Sequence, residues 1–134
     1  MHATILFGHG SRDPAWRKPI DSVAERMLEI SPGSHVRCAF LELTEPDLAS
    51  VAADLIAAEV QHITIVPMFL GVGRHAREDL PVLVTELQQT YPAVCFVLRP
   101  SVGEDPRVVE MLAKLSLSQD KALPTNGALN HNPP

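Results

Sequence analysis

Two glycine-bounded turns hold the residues best placed to do chemistry. One is Gly8-His9-Gly10-Ser11-Arg12; the other runs from Pro67 through Leu70-Gly71-Val72-Gly73-Arg74 to His75. Each follows a run of β-type residues and carries one histidine. A neutral imidazole can ligate a transition metal or take up a proton near neutral pH. Glu42 and Glu45 supply carboxylates in a third turn. Two imidazoles and a carboxylate suit divalent Fe, Co, Ni or Zn. The glycines permit tight turns and close backbone approach to a ligand. Exposed amides there, with Arg12, Arg74 and Arg99, could receive carboxylates or phosphates. The same residues also have plain structural uses. A histidine after a strand can be a turn or capping residue, Glu42 and Glu45 can be first-turn acids favoured by a helix dipole, and the arginines can be solvated. His2, His35, His62 and His131 lack a comparable context and read as surface or core-edge residues.

Four strands and four helices must position these turns. Ala3–Phe7 is a continuous apolar run ending at Gly8, as expected of a strand buried on both faces. Asp13-Pro14 opens a helix to about Ile30, with Trp16, Ile20, Val23, Ala24, Met27 and Leu28 on one stripe. His35–Leu41 is the second strand, and Pro46 opens a second helix with Leu48, Val51, Ala52 and Leu55 inward. Ile63–Phe69 is the third strand, weakened at Pro67, which cannot donate to a ladder. Asp79 and Pro81 place the start of a regular third helix near Asp79, with Leu80, Leu83, Val84, Leu87 and Tyr91 inward. Ala93–Leu98 is the fourth strand. Asp105-Pro106 starts a fourth helix with Val108, Met111, Leu112 and Leu115 inward.

Strict β-α alternation argues for one three-layer α/β domain over residues 1–117 with a four-stranded parallel sheet. The expected strand order is 2-1-3-4, with a switch point between strands 1 and 3. Ligands in such sheets bind beyond the carboxyl ends of the strands at that point. His9 and His75 leave the two strands that diverge there, so they are expected to face one pocket. Residues 118–134 turn polar and proline-rich and read as a disordered tail.

Composition narrows the function classes. The chain has 134 residues, 46% hydrophobic and 20% charged, with net charge −5. No basic face outweighs the acids, which argues against nucleic acid. No apolar run approaches the ~20 residues that span a bilayer, and Met1-His2-Ala3-Thr4 has no signal-peptide pattern. A cytoplasmic protein is expected. Cys38 and Cys95 form no CxxC and read as two buried thiols. Gly8-x-Gly10 does not complete GxGxxG and no Walker lysine follows, so the nucleotide signal is weak.

Three motifs resemble the short CbiX proteins, small class II tetrapyrrole chelatases that include sirohydrochlorin cobaltochelatases. They are Gly8-His9-Gly10-Ser11-Arg12, Phe40-Leu41-Glu42-x-x-Glu45-Pro46, and Pro67-x-Phe69-Leu70-x-x-Gly73-x-His75-x-x-x-Asp79-x-Pro81. The resemblance covers about residues 3–115, and its specificity lies in the three motifs together. It implies ATP-independent insertion of a divalent metal (Co2+ first, or Ni2+ or Fe2+) into sirohydrochlorin or a near relative, with no organic cofactor. It implies that His9 and His75 bind metal and accept pyrrole protons, with Glu42 as a further acid at the metal. Ser11, Arg12, Glu45, Leu70, Gly71, Val72, Gly73 and Arg74 would line the tetrapyrrole site. Sirohydrochlorin's many carboxylates give local arginines a task. Larger chelatases carry two such α/β halves; this chain carries one, so a homodimer is implied. A non-catalytic metal or tetrapyrrole carrier of the same fold remains the alternative. A flavodoxin-like signalling domain is disfavoured, because the turns lack clustered phosphoacceptor acids.

Overall fold

A computed structural model describes residues 1–119. It contains β1 (His2–Gly8), α1 (Lys18–Ile30), β2 (His35–Phe40), α2 (Leu48–Ala57), β3 (His62–Pro67), α3 (Arg74–Thr90), β4 (Cys95–Leu98) and α4 (Pro106–Leu117). The sheet is parallel throughout, in the order β2-β1-β3-β4. β1 therefore lies between β2 and β3 and is buried on both faces. Ile5 and Phe7 enter one core with Ile63 and Ile65, beneath α2 and α3. Leu6 enters a second with Val36, Phe40 and Ile20 of α1. This two-sided burial is why β1 reads as an unbroken apolar run. Among the described residues no helix is long and apolar enough to cross a membrane.

Several elements differ from expectation for identifiable reasons. The first helix is split: Pro14–Arg17 forms a 3-10 turn and the α-helix starts at Lys18. Pro19 has no N–H to carry helical bonding back across that junction. Only Ile20 of the expected stripe is fully buried, and Trp16, Val23 and Leu28 stay exposed. The third helix begins at Arg74 rather than near Asp79 and runs through Pro81. Arg77 N–H already donates to Gly73 O at 3.0 Å. Burial of Ala76 and Leu80 before the proline and of Leu87 after it, all in the first core, anchors the helix on both sides, offsetting its missing hydrogen bond.

The fourth helix departs most. Met111 and Leu115 were expected inward, but both are exposed, as are Val109 and Leu117. Val108 and Val66 line one cavity of about 420 Å³, so α4 lies over the α1 face without sealing it. β4 is a short edge strand, and among the described residues no further strand lies beyond it for the helix to cover. The same incomplete cover overturns the expectation of two buried thiols. Cys38 is half-buried, but Cys95 on β4 is exposed. Burial raises the Cys38 thiol above its usual pKa, and the charge of Asp21 adds to this. The expected disordered tail lies, beyond Lys- and Ser-bearing α4 and two following residues, outside the described residues.

Asp105 caps α4, accepting from Arg107 N–H at 2.8 Å and pairing with its guanidinium at 2.7 Å. These hydrogen bonds hold its carboxyl down at about 2, against 3.8 ordinarily. A depressed carboxyl stabilises the fold above the unfolded value and stops doing so as pH falls through the folded one. We expect α4 to lose its cap between about pH 4 and pH 2. Asp105→Asn should flatten that acid limb of the stability profile; an unchanged limb would contradict the assignment.

Candidate functional site

The carboxyl edge of the sheet gathers the three turns. Main-chain pairing continues past β1 and β2: Leu41 N–H donates to Gly8 O at 2.9 Å and Glu42 N–H to His9 O at 3.0 Å. That register sets Glu42 beside His9, with Oε2 at 3.6 Å from Nε2. At this length the pair is a charge contact rather than a hydrogen bond. Both side chains are half-exposed. Gly10 has φ +107, and a Cβ there would stand 1.6 Å from Glu42 O. Only glycine lets the two turns close to this distance.

Thr44 locks the pair of turns and was missed in the sequence. Its hydroxyl accepts from Ser11 N–H at 2.9 Å and donates to Ser11 O at 2.8 Å. Ser11 Oγ in turn accepts from Asp13 N–H. Threonine in a polar turn has no distinctive spacing signal. Leu43, between Glu42 and Thr44, sits at φ +63, an uncommon conformation for a branched residue. The turn lines a hollow of about 490 Å³ that includes Glu42 and Glu45. Arg17 braces this turn from below: its guanidinium grips Asp21, donates to Glu45 O at 3.3 Å and lies 4.7 Å from the Phe40 ring centre. The Asp21 hydrogen bond raises the arginine pKa further.

After β3 the chain passes Phe69 and the exposed Leu70, then Gly71-Val72-Gly73, into α3. His75 therefore lies in the first turn of a helix and not in a loop. Its Nε2 is 3.0 Å from Asp79 Oδ2, one helical turn on, and the ring is largely exposed. A carboxylate at this distance fixes the orientation of an imidazole. Arg74 is engaged similarly, with Nε donating to Glu78 at 3.0 Å. Val72 packs against the first core and anchors the turn. The Phe69 ring stands edge-on to His9, with centres 6.5 Å apart. Arg12 is exposed.

The predicted residues thus fall into two imidazole–carboxylate pairs, His9–Glu42 and His75–Asp79. Among the described residues no three His, Cys, Asp or Glu side chains converge as a metal cage. Each pair is open to solvent, with the His9 side chain half-exposed and that of His75 largely exposed.

Fold and site define a small parallel α/β protein with two imidazole–carboxylate pairs at the carboxyl edge of its sheet. The CbiX family model matches residues 3–118, and the chain belongs to that family. It is 36% identical over 81 residues to a sirohydrochlorin cobaltochelatase of Methanopyrus kandleri, covering 60% of this chain and 57% of that protein. The chain spans little more than half the length of the first curated relatives it matches. A crystal structure of a CbiX protein from Marinobacter aquaeolei VT8 is 31% identical, with a TM-score of 0.76 over 87% of this chain and 94% of that one. SirB from Bacillus subtilis with Fe3+ is 26% identical, with a TM-score of 0.71 over 84% of this chain but only 45% of SirB.

Proposed function

We propose that this protein inserts a divalent metal ion into sirohydrochlorin or a closely related tetrapyrrole without ATP. Membership of the CbiX family carries the reading, and the two open imidazole–carboxylate pairs support it. Insertion must remove two pyrrole N–H protons and strip water from the metal. His9 and His75 act as ligands to the substrate metal and as proton acceptors. Glu42 compensates charge at His9, and Asp79 holds the His75 ring in one orientation. Glu45, with Ser11 and Arg12 and the Leu70–Arg74 turn, borders the macrocycle. Holding ion and ring face to face supplies proximity. Two-residue half-sites suit an ion that must leave for the ring, whereas a carrier gains from a closed cage.

The working cleft is formed by two copies of the chain. The exposed apolar residues of α4, Val109, Met111, Leu115 and Leu117, support this. Light scattering should give a dimer, and Met111→Glu with Leu115→Glu should yield monomers with reduced insertion. A wild-type protein that stays monomeric at working concentration would contradict the shared cleft.

Anaerobic mixing with sirohydrochlorin and Co2+, Ni2+ or Fe2+, followed by absorbance, tests the activity. Metallation above the uncatalysed rate is the expected result. Ring or metal binding without metallation would favour a carrier. Co2+ is the first candidate, on the cobaltochelatase relatives alone.

A further inference from the structure

A further cavity adjoins the turn that leads into α3, where Phe69 and Val72 line it. It measures about 160 Å³ and lies between α3 and the segment after β4. At roughly 30 Å³ per water it holds about five waters' worth of volume. That fits one side arm of a macrocycle and excludes the ring itself. Phe69 is common to both places: its ring stands edge-on to His9 and also lines this cavity. Most of the remaining wall is apolar, including Val72, Leu80 and Leu98.

Three polar features stand against that wall. Ser101 is only 4% exposed, and its Oγ is buried without a hydrogen-bond partner. An unpaired buried hydroxyl costs free energy unless a ligand satisfies it. Arg99 and Arg77 line the same space. Among the described residues neither guanidinium has a carboxylate within 4.0 Å. Arg77 has only a long 3.5 Å contact to Val72 O. Glu104 also lines the cavity, so the lining carries two positive charges and one negative. The segment is rigidly seated: Gly103 N–H donates to Phe69 O at 3.0 Å, and a Cβ on Gly103 would stand 1.8 Å from Leu70 O. The segment after β4 is thereby packed directly on the main chain at Phe69 and Leu70.

We infer that this cavity is a subsite for a carboxylate on a short apolar stem, with Ser101 Oγ donating to it and Arg99 and Arg77 neutralising it. Resting on the chelatase reading, the occupant is one carboxylate side arm of the tetrapyrrole. Passed beside Phe69, that arm fixes the rotation of the ring over His9. The apolar wall takes the methylene stem, and the serine and arginines take the head, as charge-assisted hydrogen bonds require.

Two measurements test this separately from the activity. In an NMR titration of the full chain, propionate should shift the amides of residues 99–104, and propionamide, its neutral counterpart, should not. In a metal-free absorbance titration, Arg99→Gln should weaken sirohydrochlorin binding at least fivefold and Ser101→Ala at least threefold. Arg26→Gln, an equal charge change on the exposed side of α1, should leave affinity unchanged. If wild-type protein fails to bind sirohydrochlorin, the chelatase reading falls, and the propionate titration alone decides the subsite. A silent propionate titration, or wild-type sirohydrochlorin affinity in both variants, overturns the assignment.

Discussion

The double variant His9→Ala/His75→Ala is expected to lose metal insertion to the uncatalysed rate. Each single variant should lose roughly 10²–10⁴-fold, the range for removing a positioned proton acceptor. The side chains of both histidines are half or more exposed, at 50% and 83%. Their truncation opens no cavity in the core, so unfolding free energies from urea titration should stay within about 0.5 kcal/mol of wild type. Asp79→Asn keeps the His75 contact but removes the charge, and should cost less, about 10–100-fold. That graded series distinguishes a ligand from the residue that orients it. Two fully active single variants would refute the site.

Gly10→Ala should produce the largest structural effect of any single methyl addition near the site. The residue's φ of +107 is strained for any L side chain, and the new Cβ would fall 1.6 Å from the Glu42 carbonyl oxygen. The obstructing atom is main chain, held by Glu42 N–H to His9 O, so no side-chain rotation relieves it. Relief requires the Gly8–Ser11 turn to separate from the Glu42–Thr44 turn. We expect a loss of at least about 2 kcal/mol in stability, with insertion falling as the His9–Glu42 spacing widens. Gly33→Ala is the control, since nothing lies within 4 Å of its Cβ position. Equal stability of the two variants would contradict the close-approach account.

The sheet was legible because its signals are redundant. β1 is buried on both faces, β3 buries Ile63 and Ile65 on one face, and strict alternation with helices leaves few parallel topologies. The turns carrying His9, Glu42 and His75 follow from strand order alone. What stayed hidden depends on contacts between segments far apart in the chain. Asp79 and Pro81 carry the local signature of a helix start, but burial of Ala76 draws α3 back to Arg74. His75 thereby gains Asp79 as a helical partner one turn away. Thr44 closes on Ser11 through main-chain atoms, and no residue pattern announces that. Ser101 reads as an ordinary turn serine until its neighbours bury it. The exposed face of α4 was misread because periodicity shows that a helix has an apolar stripe, and does not show whether this chain or another covers it.

On the proposed function, one edge of this sheet transfers a metal ion to a tetrapyrrole. The most direct measurement is anaerobic absorbance of sirohydrochlorin with Co2+, comparing wild-type protein with the His9→Ala/His75→Ala variant. The account predicts rapid spectral conversion with the wild type and the protein-free rate with the variant. Conversion at the protein-free rate in both would contradict it.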